Sequence, residues 1–219
     1  MAQRRELLHD LYEKLWQAFG PQGWWPGDTP FEVALGAILT QNTNWTNVAR
    51  VIADLKSDGS LDPQVLRTMP EADLARRLRP AGYYNLKAKR VKNFLDFFAH
   101  RHQDSMALMA QENLEILRSE LLTIKGIGPE TADSILLYAL NKPTFVVDAY
   151  TFRILSRHDL VVESLSYEEL RRVFMDYLPA DVGLFQEYHA LLVRLGKDFC
   201  RPRPKCAECP LANWLPAGD

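Results

Sequence analysis

The run Leu122-Thr123-Ile124-Lys125-Gly126-Ile127-Gly128-Pro129-Glu130-Thr131-Ala132 constrains this chain more than any other stretch. Upstream of it, Leu114, Leu117, Leu121 and Leu122 recur at the spacing of one helix face. Downstream, Ala132, Ile135, Leu136 and Ala139 form a second such face. Pro129 suits the first position of the second helix, where its missing N–H costs nothing. Two glycines two apart predict positive φ and close backbone approach. The segment therefore predicts two helices joined by a very tight turn. The start of the second helix, with its unsatisfied N–H groups and the positive end of its dipole, is a place for a phosphate. A contact of that kind fixes position on a nucleic acid without reading its sequence. An ordinary αα-turn ending in glycine has the same local pattern.

The second helix leads into Pro143-Thr144-Phe145-Val146-Val147, an apolar, extended approach to Asp148 with no partner run for a strand. Aspartate is a favoured N-cap, and a helix over about 149–158 follows it. A carboxylate between apolar walls, near an anion-binding turn, can also stabilise positive charge on a sugar or deprotonate an attacking water. The two roles are compatible, because a capping carboxylate is held rigidly.

The rest of the chain reads as helices. A first one over 3–19 turns Leu7, Leu8, Leu11, Leu15 and Phe19 inward. The loop after it carries Trp24, Trp25 and Pro26, which either cover the edge of the core or wall a pocket for a flat ligand. Thr29-Pro30-Phe31-Glu32 reads as a capping box opening a helix that is apolar nearly all round and ends near Gln41. Helices are expected at 44–56, 62–68 and 70–79, the last opened by a second capping box, Thr68-Met69-Pro70-Glu71. Residues 76–92 hold Arg76, Arg77, Arg79, Lys87, Lys89, Arg90 and Lys92 and no acid, interrupted by Gly82-Tyr83-Tyr84-Asn85. That is either a solvated face or a phosphate-tracking surface. Further helices follow at 86–102, 166–178 (a capping box at Ser166 to Glu169) and 182–198, giving an all-α chain.

The net charge of −2 means that any grip on nucleic acid comes from a local patch. No apolar run reaches membrane-span length, and the amphipathic first helix lacks the core of a signal peptide, so a cytoplasmic, most simply bacterial, protein is expected. The three cysteines, Cys200, Cys206 and Cys209, cluster near the C-terminus, which points to a metal or cluster site or its remains rather than a disulfide framework.

Taken together, LTIKGIGPETA, VVDAY with Asp148 eighteen positions after Glu130, ALGAILTQNT, AGYYNLKAKRV and the terminal cysteines resemble the helix-hairpin-helix DNA glycosylases of the endonuclease III superfamily over nearly the whole chain. The resemblance implies a two-lobed, all-α fold with the site in the cleft between lobes. One lobe would be 1–25 plus 141–219, and 26–140 an inserted bundle ending in the hairpin. It makes Asp148 the catalytic acid, and sends Gln41 into the gap left by an extruded base. Tyr84, Asn85 and Leu86 are then wedge candidates, and Lys87, Lys125, Gly126, Ile127 and Gly128 contact DNA. Strand-cutting members carry at position 130 a lysine that forms a Schiff base. Glutamate cannot, so the resemblance implies a monofunctional enzyme that removes a base and leaves an abasic site.

Trp24, Trp25, Pro26 and Trp45 would stack on the flipped base. Aromatic faces attract the positive charge of N-alkylated purines, so the resemblance is nearest to the 3-methyladenine glycosylases of endonuclease III type. A pyrimidine-lesion or mismatch glycosylase, and a lesion-binding module without catalysis, are the alternatives. The expected partner is double-stranded DNA containing a damaged base, bound by a nucleoid-associated monomer without membrane contact. The family's iron–sulfur loop has four cysteines. Here Leu215 stands where the fourth is expected, and the spacing from Cys200 to Cys206 is one residue short. A cluster with another ligand, a zinc with an outside ligand, and no metal are all open; the base-release chemistry itself needs no cofactor.

Overall fold

A computed structural model of the chain describes residues 2–162 and 164–214. Among the described residues the regular structure is helical, and no helix is long and apolar enough to cross a membrane. By internal packing the chain falls into two units. One comprises the segment up to Trp24 together with everything from Pro143 onward, and the other is Trp25–Lys142.

Helix α1 (Ala2–Phe19) buries Leu8, Leu11 and Leu15. The central unit then opens with α2 (Pro30–Leu39), where the Thr29 hydroxyl accepts from the Glu32 N–H and residues Phe31 to Leu39 are all buried. The expected capping box closes only in part. The Glu32 carboxylate accepts from the Asp28 N–H at 3.0 Å and pairs with Lys56 at 2.7 Å. Asn44 caps α3 (Trp45–Ser57), and Asp62 caps α4 (Pro63–Thr68). Helix α5 (Glu71–Arg77) has no side-chain cap. Thr68 belongs to the last turn of α4, where its hydroxyl donates back to the Gln64 carbonyl at 2.9 Å, so the second expected capping box does not form.

A 3-10 turn at Arg79–Ala81 leads to α6 (Tyr84–His102), whose inner face is Val91, Phe94, Leu95 and Phe98. A short α7 (Met106–Gln111), capped by Ser105, stands between the expected helices. Next come α8 (Leu114–Thr123) and α9 (Pro129–Ser134), the pair expected around the two glycines. Helix α9 runs on into a π-helical segment, Ile135–Ala139, with Ile135, Leu136 and Ala139 buried as the apolar spacing predicts.

In the other unit, the extended segment before Asp148 is buried. Phe145 stacks on Phe174 at 3.7 Å between ring centres, and Arg171 Nε donates to Thr144 Oγ1 at 2.9 Å. Asp148 caps α10 (Ala149–Arg157). The capping box of Ser166 and Glu169 forms in full at α11 (Tyr167–Met175). Asp181 caps α12 (Val182–Asp198), which is fastened to α1 by the buried Tyr188 hydroxyl donating to the Leu8 carbonyl at 2.8 Å.

Candidate active site

The hairpin is built from α8, α9 and the turn between them. Ile124 and Ile127 are buried, and the Ile127 N–H donates to the Ile124 carbonyl at 3.0 Å. Ile127 thus anchors the turn from inside rather than offering its side chain outward. Gly126 has φ +99°, and a Cβ there would collide with the Arg90 side chain, so only glycine fits. Gly128 departs from expectation. Its φ of −96° is open to any residue, and a Cβ would meet nothing within 4 Å. Backbone geometry therefore demands one glycine of the pair, and the other leaves open space before the first turn of α9. Glu130 is exposed on that turn.

Gln41 is bound into this corner. Its Nε2 donates to the Gly126 carbonyl at 3.1 Å and to Thr131 Oγ1 at 2.7 Å, and its Oε1 accepts from Arg90 Nη1. Asn93 donates to the carbonyl of Lys125, whose side chain is exposed. Arg118 and Asp133 join the two hairpin helices in a buried pair.

Much of the basic run turns out to be consumed by the fold. Lys87 is 0% exposed and donates to the Ala81 carbonyl at 2.7 Å. Burial, followed by the charge of Arg90, pushes its amine down to about 8. Its ammonium is turned into the fold rather than toward solvent. Lys92 donates to the carbonyls of Leu66, Arg67 and Met69 at the end of α4, and burial lowers its pKa also. Arg77 pairs with Asp54 and Asp58. Arg79 and Lys89 remain exposed. Of the wedge candidates, Asn85 and Leu86 are exposed and Tyr84 is half-buried. The preceding Tyr83, outside the expected wedge, is 69% exposed with φ +47°.

Trp25 and Trp45 meet edge to face, 5.4 Å apart at 84°, and Trp25 leans on Tyr138 at 5.5 Å. Gly36 is the floor of this corner. A Cβ there would sit 3.2 Å from both Trp25 Nε1 and Trp45 Cζ3. Pro26 is exposed. Trp24 belongs to the other unit, where the Lys197 ammonium lies 5.5 Å over its ring. Nothing in the local pattern distinguished Tyr138 from the other buried positions of its helix.

Asp148 ends the extended segment with its side chain 11% exposed. Its Oδ1 accepts from the Thr151 N–H at 2.7 Å and from Thr151 Oγ1 at 2.9 Å, while Oδ2 lies 3.7 Å from His189 Nε2. Burial is the largest influence on this carboxyl and pushes its pKa up. His189 and the two Thr151 donors together outweigh it, so the pKa falls below the usual carboxylate range and the group is ionised. His189 comes from α12, and no local pattern in the sequence marks its approach to Asp148.

The cysteines do not fit a four-thiolate cluster. Cys200 is buried, its Sγ accepting from Arg157 at 3.4 Å, and Cys209 Sγ accepts from the Leu211 N–H at 3.4 Å, while Cys206 is exposed. Among the described residues no three His, Cys, Asp or Glu side chains converge to hold a metal, and Leu215 lies outside those residues. Arginines from α10 hold the loop instead. Arg153 donates to the carbonyls of Cys200 and Gly196, and Arg157 to those of Arg201 and Pro202.

The family described as "HhH-GPD superfamily base excision DNA repair protein" matches residues 35–180. A protein of the archaeon Methanocaldococcus jannaschii, provisionally assigned as a DNA repair glycosylase, is 46% identical over 211 residues, covering 95% of this chain and 96% of its own. That relative lends no support to the bacterial origin expected from the sequence. Endonuclease III of Thermotoga maritima is 28% identical over 185 residues, 84% of this chain and 81% of its own.

Among solved structures, H. pylori 3-methyladenine DNA glycosylase bound to 1,N6-ethenoadenine superposes with a TM-score of 0.75 at 29% identity, covering 89% of this chain and 97% of that one. A non-covalent endonuclease III–DNA complex superposes with a TM-score of 0.82 at 19% identity, covering 96% and 94%, which speaks to the fold. The chain belongs to the HhH-GPD superfamily of base excision DNA repair proteins and is a DNA glycosylase of that all-helical fold.

Proposed function

We propose that this glycosylase is monofunctional, hydrolysing the N-glycosidic bond of an alkylated purine flipped out of double-stranded DNA. The observation that carries the reading is the Asp148 carboxylate, pinned through Oδ1 by Thr151 and partly open to solvent. As the C1′–N bond breaks, its electron pair leaves with the base and positive charge builds on the deoxyribose, which a fixed carboxylate stabilises. Water then bonds to C1′ and its proton passes to Asp148. A cationic N-alkylated purine departs neutral and needs no proton from an acid.

Glu130 supports the monofunctional part, since a carboxylate forms no Schiff base. The edge-to-face pair of Trp25 and Trp45, with Tyr138 beside it, supports a flat, electron-poor base as ligand. The H. pylori relative, a 3-methyladenine DNA glycosylase, agrees with that base class. Lys125 and the turn from Gly126 to Gly128 take the role of phosphate contact, and Leu86, Asn85 and Tyr84 that of the wedge. Lys87 supports the wedge turn from within. The arginine-held cysteine loop works without a cluster in this reading, so the isolated protein is expected to carry no stoichiometric iron or zinc. Arg201, Arg203 and Lys205 remain exposed there as DNA contacts.

A lesion panel tests the proposal. Release of 3-methyladenine by the wild type, with loss of about 100-fold or more in Asp148→Asn, is the expected result. Release of thymine glycol but not 3-methyladenine would replace the substrate class with oxidised pyrimidines. If wild type and Asp148→Asn bind damaged DNA alike and neither releases a base, the chain is a binding module.

A further inference from the structure

The two oxygens of Asp148 are not equivalent. Oδ1 accepts from both the backbone N–H and the hydroxyl of Thr151, at 2.7 and 2.9 Å. A carboxylate oxygen has two lone-pair sites, so Oδ1 is saturated. Any dealing with a water or a sugar therefore falls to Oδ2, and the side chain standing beside Oδ2 is His189, its Nε2 3.7 Å away. That distance is too long for a hydrogen bond that would occupy the oxygen. It is short enough for the imidazole to act on the carboxylate electrostatically in a water-poor setting, with the two side chains only 7% and 11% exposed.

The imidazole is also buried. It sits on α12 beside Tyr188, whose buried hydroxyl is committed to the Leu8 carbonyl of α1. Residues 190–192 continue the buried face. On the other side, the backbone leading into Asp148 is fixed by Val147 N–H donating to the Tyr167 hydroxyl of α11 at 3.4 Å. Among the described residues, His189 is the one ionisable group acting on this carboxyl; Thr151 acts on it with neutral donors, and Tyr188 stays protonated because burial raises its pKa.

We propose that His189 is the positioning residue of the glycosylase reaction: it keeps Asp148 Oδ2 aimed while leaving that oxygen's lone pairs open to water. This rests on the assignment of Asp148 made above. His189 acts only through the carboxylate and touches neither base nor sugar.

The test compares wild type with His189→Leu, His189→Gln and Asp148→Asn. The readouts are single-turnover release of 3-methyladenine across pH, and equilibrium binding to damaged duplex. His189→Leu is expected to slow base release by about 10- to 100-fold with DNA binding unchanged, the size of effect expected when a reacting group is misplaced. His189→Gln keeps an N–H donor but cannot become a cation. It should recover most of the rate near neutral pH, and its activity should fail at a higher pH than wild type on acidification, because the carboxylate has lost its ionisable neighbour. A purely structural role would weaken binding and thermal stability in both variants without moving the acid limb. If His189→Leu and His189→Gln match wild type in rate and acid limb while Asp148→Asn is inactive, the positioning role is refuted and the function stands. Near-wild-type release by Asp148→Asn would instead remove the assignment beneath it. Should His189→Leu fail to fold, the acid limb of His189→Gln decides alone.

Discussion

Arg118 and Asp133 face each other in a two-pronged pair, Nε to Oδ1 at 2.8 Å and Nη2 to Oδ2 at 2.9 Å, with the Asp133 side chain wholly buried. One partner comes from α8 and the other from α9, so the pair fixes the angle of the hairpin on which Lys125 to Gly128 are displayed. Removing Arg118 takes two charge-assisted hydrogen bonds from a buried carboxylate. Arg118→Met is expected to lower unfolding stability by about 3–5 kcal/mol. The double substitution Arg118→Met/Asp133→Leu should recover most of that loss. Urea unfolding of the three proteins checks it, and a double variant as weak as the single one would show that packing, not charge, is at stake.

Glu130 stands in the first turn of α9, where the helix dipole disfavours a cation. A lysine placed there would have a lowered pKa and so a larger share of free amine. Glu130→Lys is expected to give a borohydride-trapped protein–DNA adduct on duplex containing an alkylated base, and wild type none. The same change should cost about 0.3–1 kcal/mol of stability through the dipole. A trapped adduct in wild type would point to an amine other than one at position 130.

Lys87 lends itself to a titration. Its amine is pushed down to about 8 in the folded chain from an ordinary 10.5, chiefly by burial. A lysine depressed by folding binds fewer protons in the native state, so its penalty is fully present below pH 8. Stability should therefore rise as pH climbs from about 8 towards about 10.5. Lys87→Met should flatten that rise, at the loss of the bond to the Ala81 carbonyl. Denaturation midpoints at pH 7.5, about 9 and about 10 decide it, and equal slopes for both proteins would refute it.

What the sequence made legible follows from the range of each signal. Caps and apolar spacing are local, so α12 runs over the expected 182–198 and the capping box of α11 closes. Thr68 shows the limit, since a hydroxyl can serve the helix behind it as readily as the one ahead. Charge misleads for a related reason. Lys87 and Lys92 look like surface residues in a basic run, but a long stem lets an ammonium reach a carbonyl inside the fold. Tyr138 against Trp25, and His189 against Asp148, join residues more than forty positions or more than a hundred apart, and neither pairing leaves a mark on the local pattern. The trace of His189 in the sequence is only its place on an otherwise apolar helix face.

The two glycines of the hairpin make the sharpest contrast available. Gly126 is needed by the fold, because its φ of +99° is strained for other residues and Arg90 occupies the space a Cβ would take. Arg90 also donates to Gln41, which in turn holds the Gly126 carbonyl, so displacing Arg90 loosens the whole corner. Gly126→Ala is expected to cost about 1–3 kcal/mol of unfolding stability. Gly128 has neither constraint, and a methyl group there touches nothing in the protein. If the turn receives a phosphate, that methyl intrudes where the backbone must come close. Gly128→Ala should then leave stability within about 0.5 kcal/mol of wild type while weakening DNA binding. The loss should be similar for damaged and undamaged duplex, because a phosphate contact carries no base information. Fluorescence anisotropy at fixed salt, set beside urea unfolding, separates the two glycines. Unchanged DNA affinity in Gly128→Ala would mean that the open space before α9 is not where the phosphate lies.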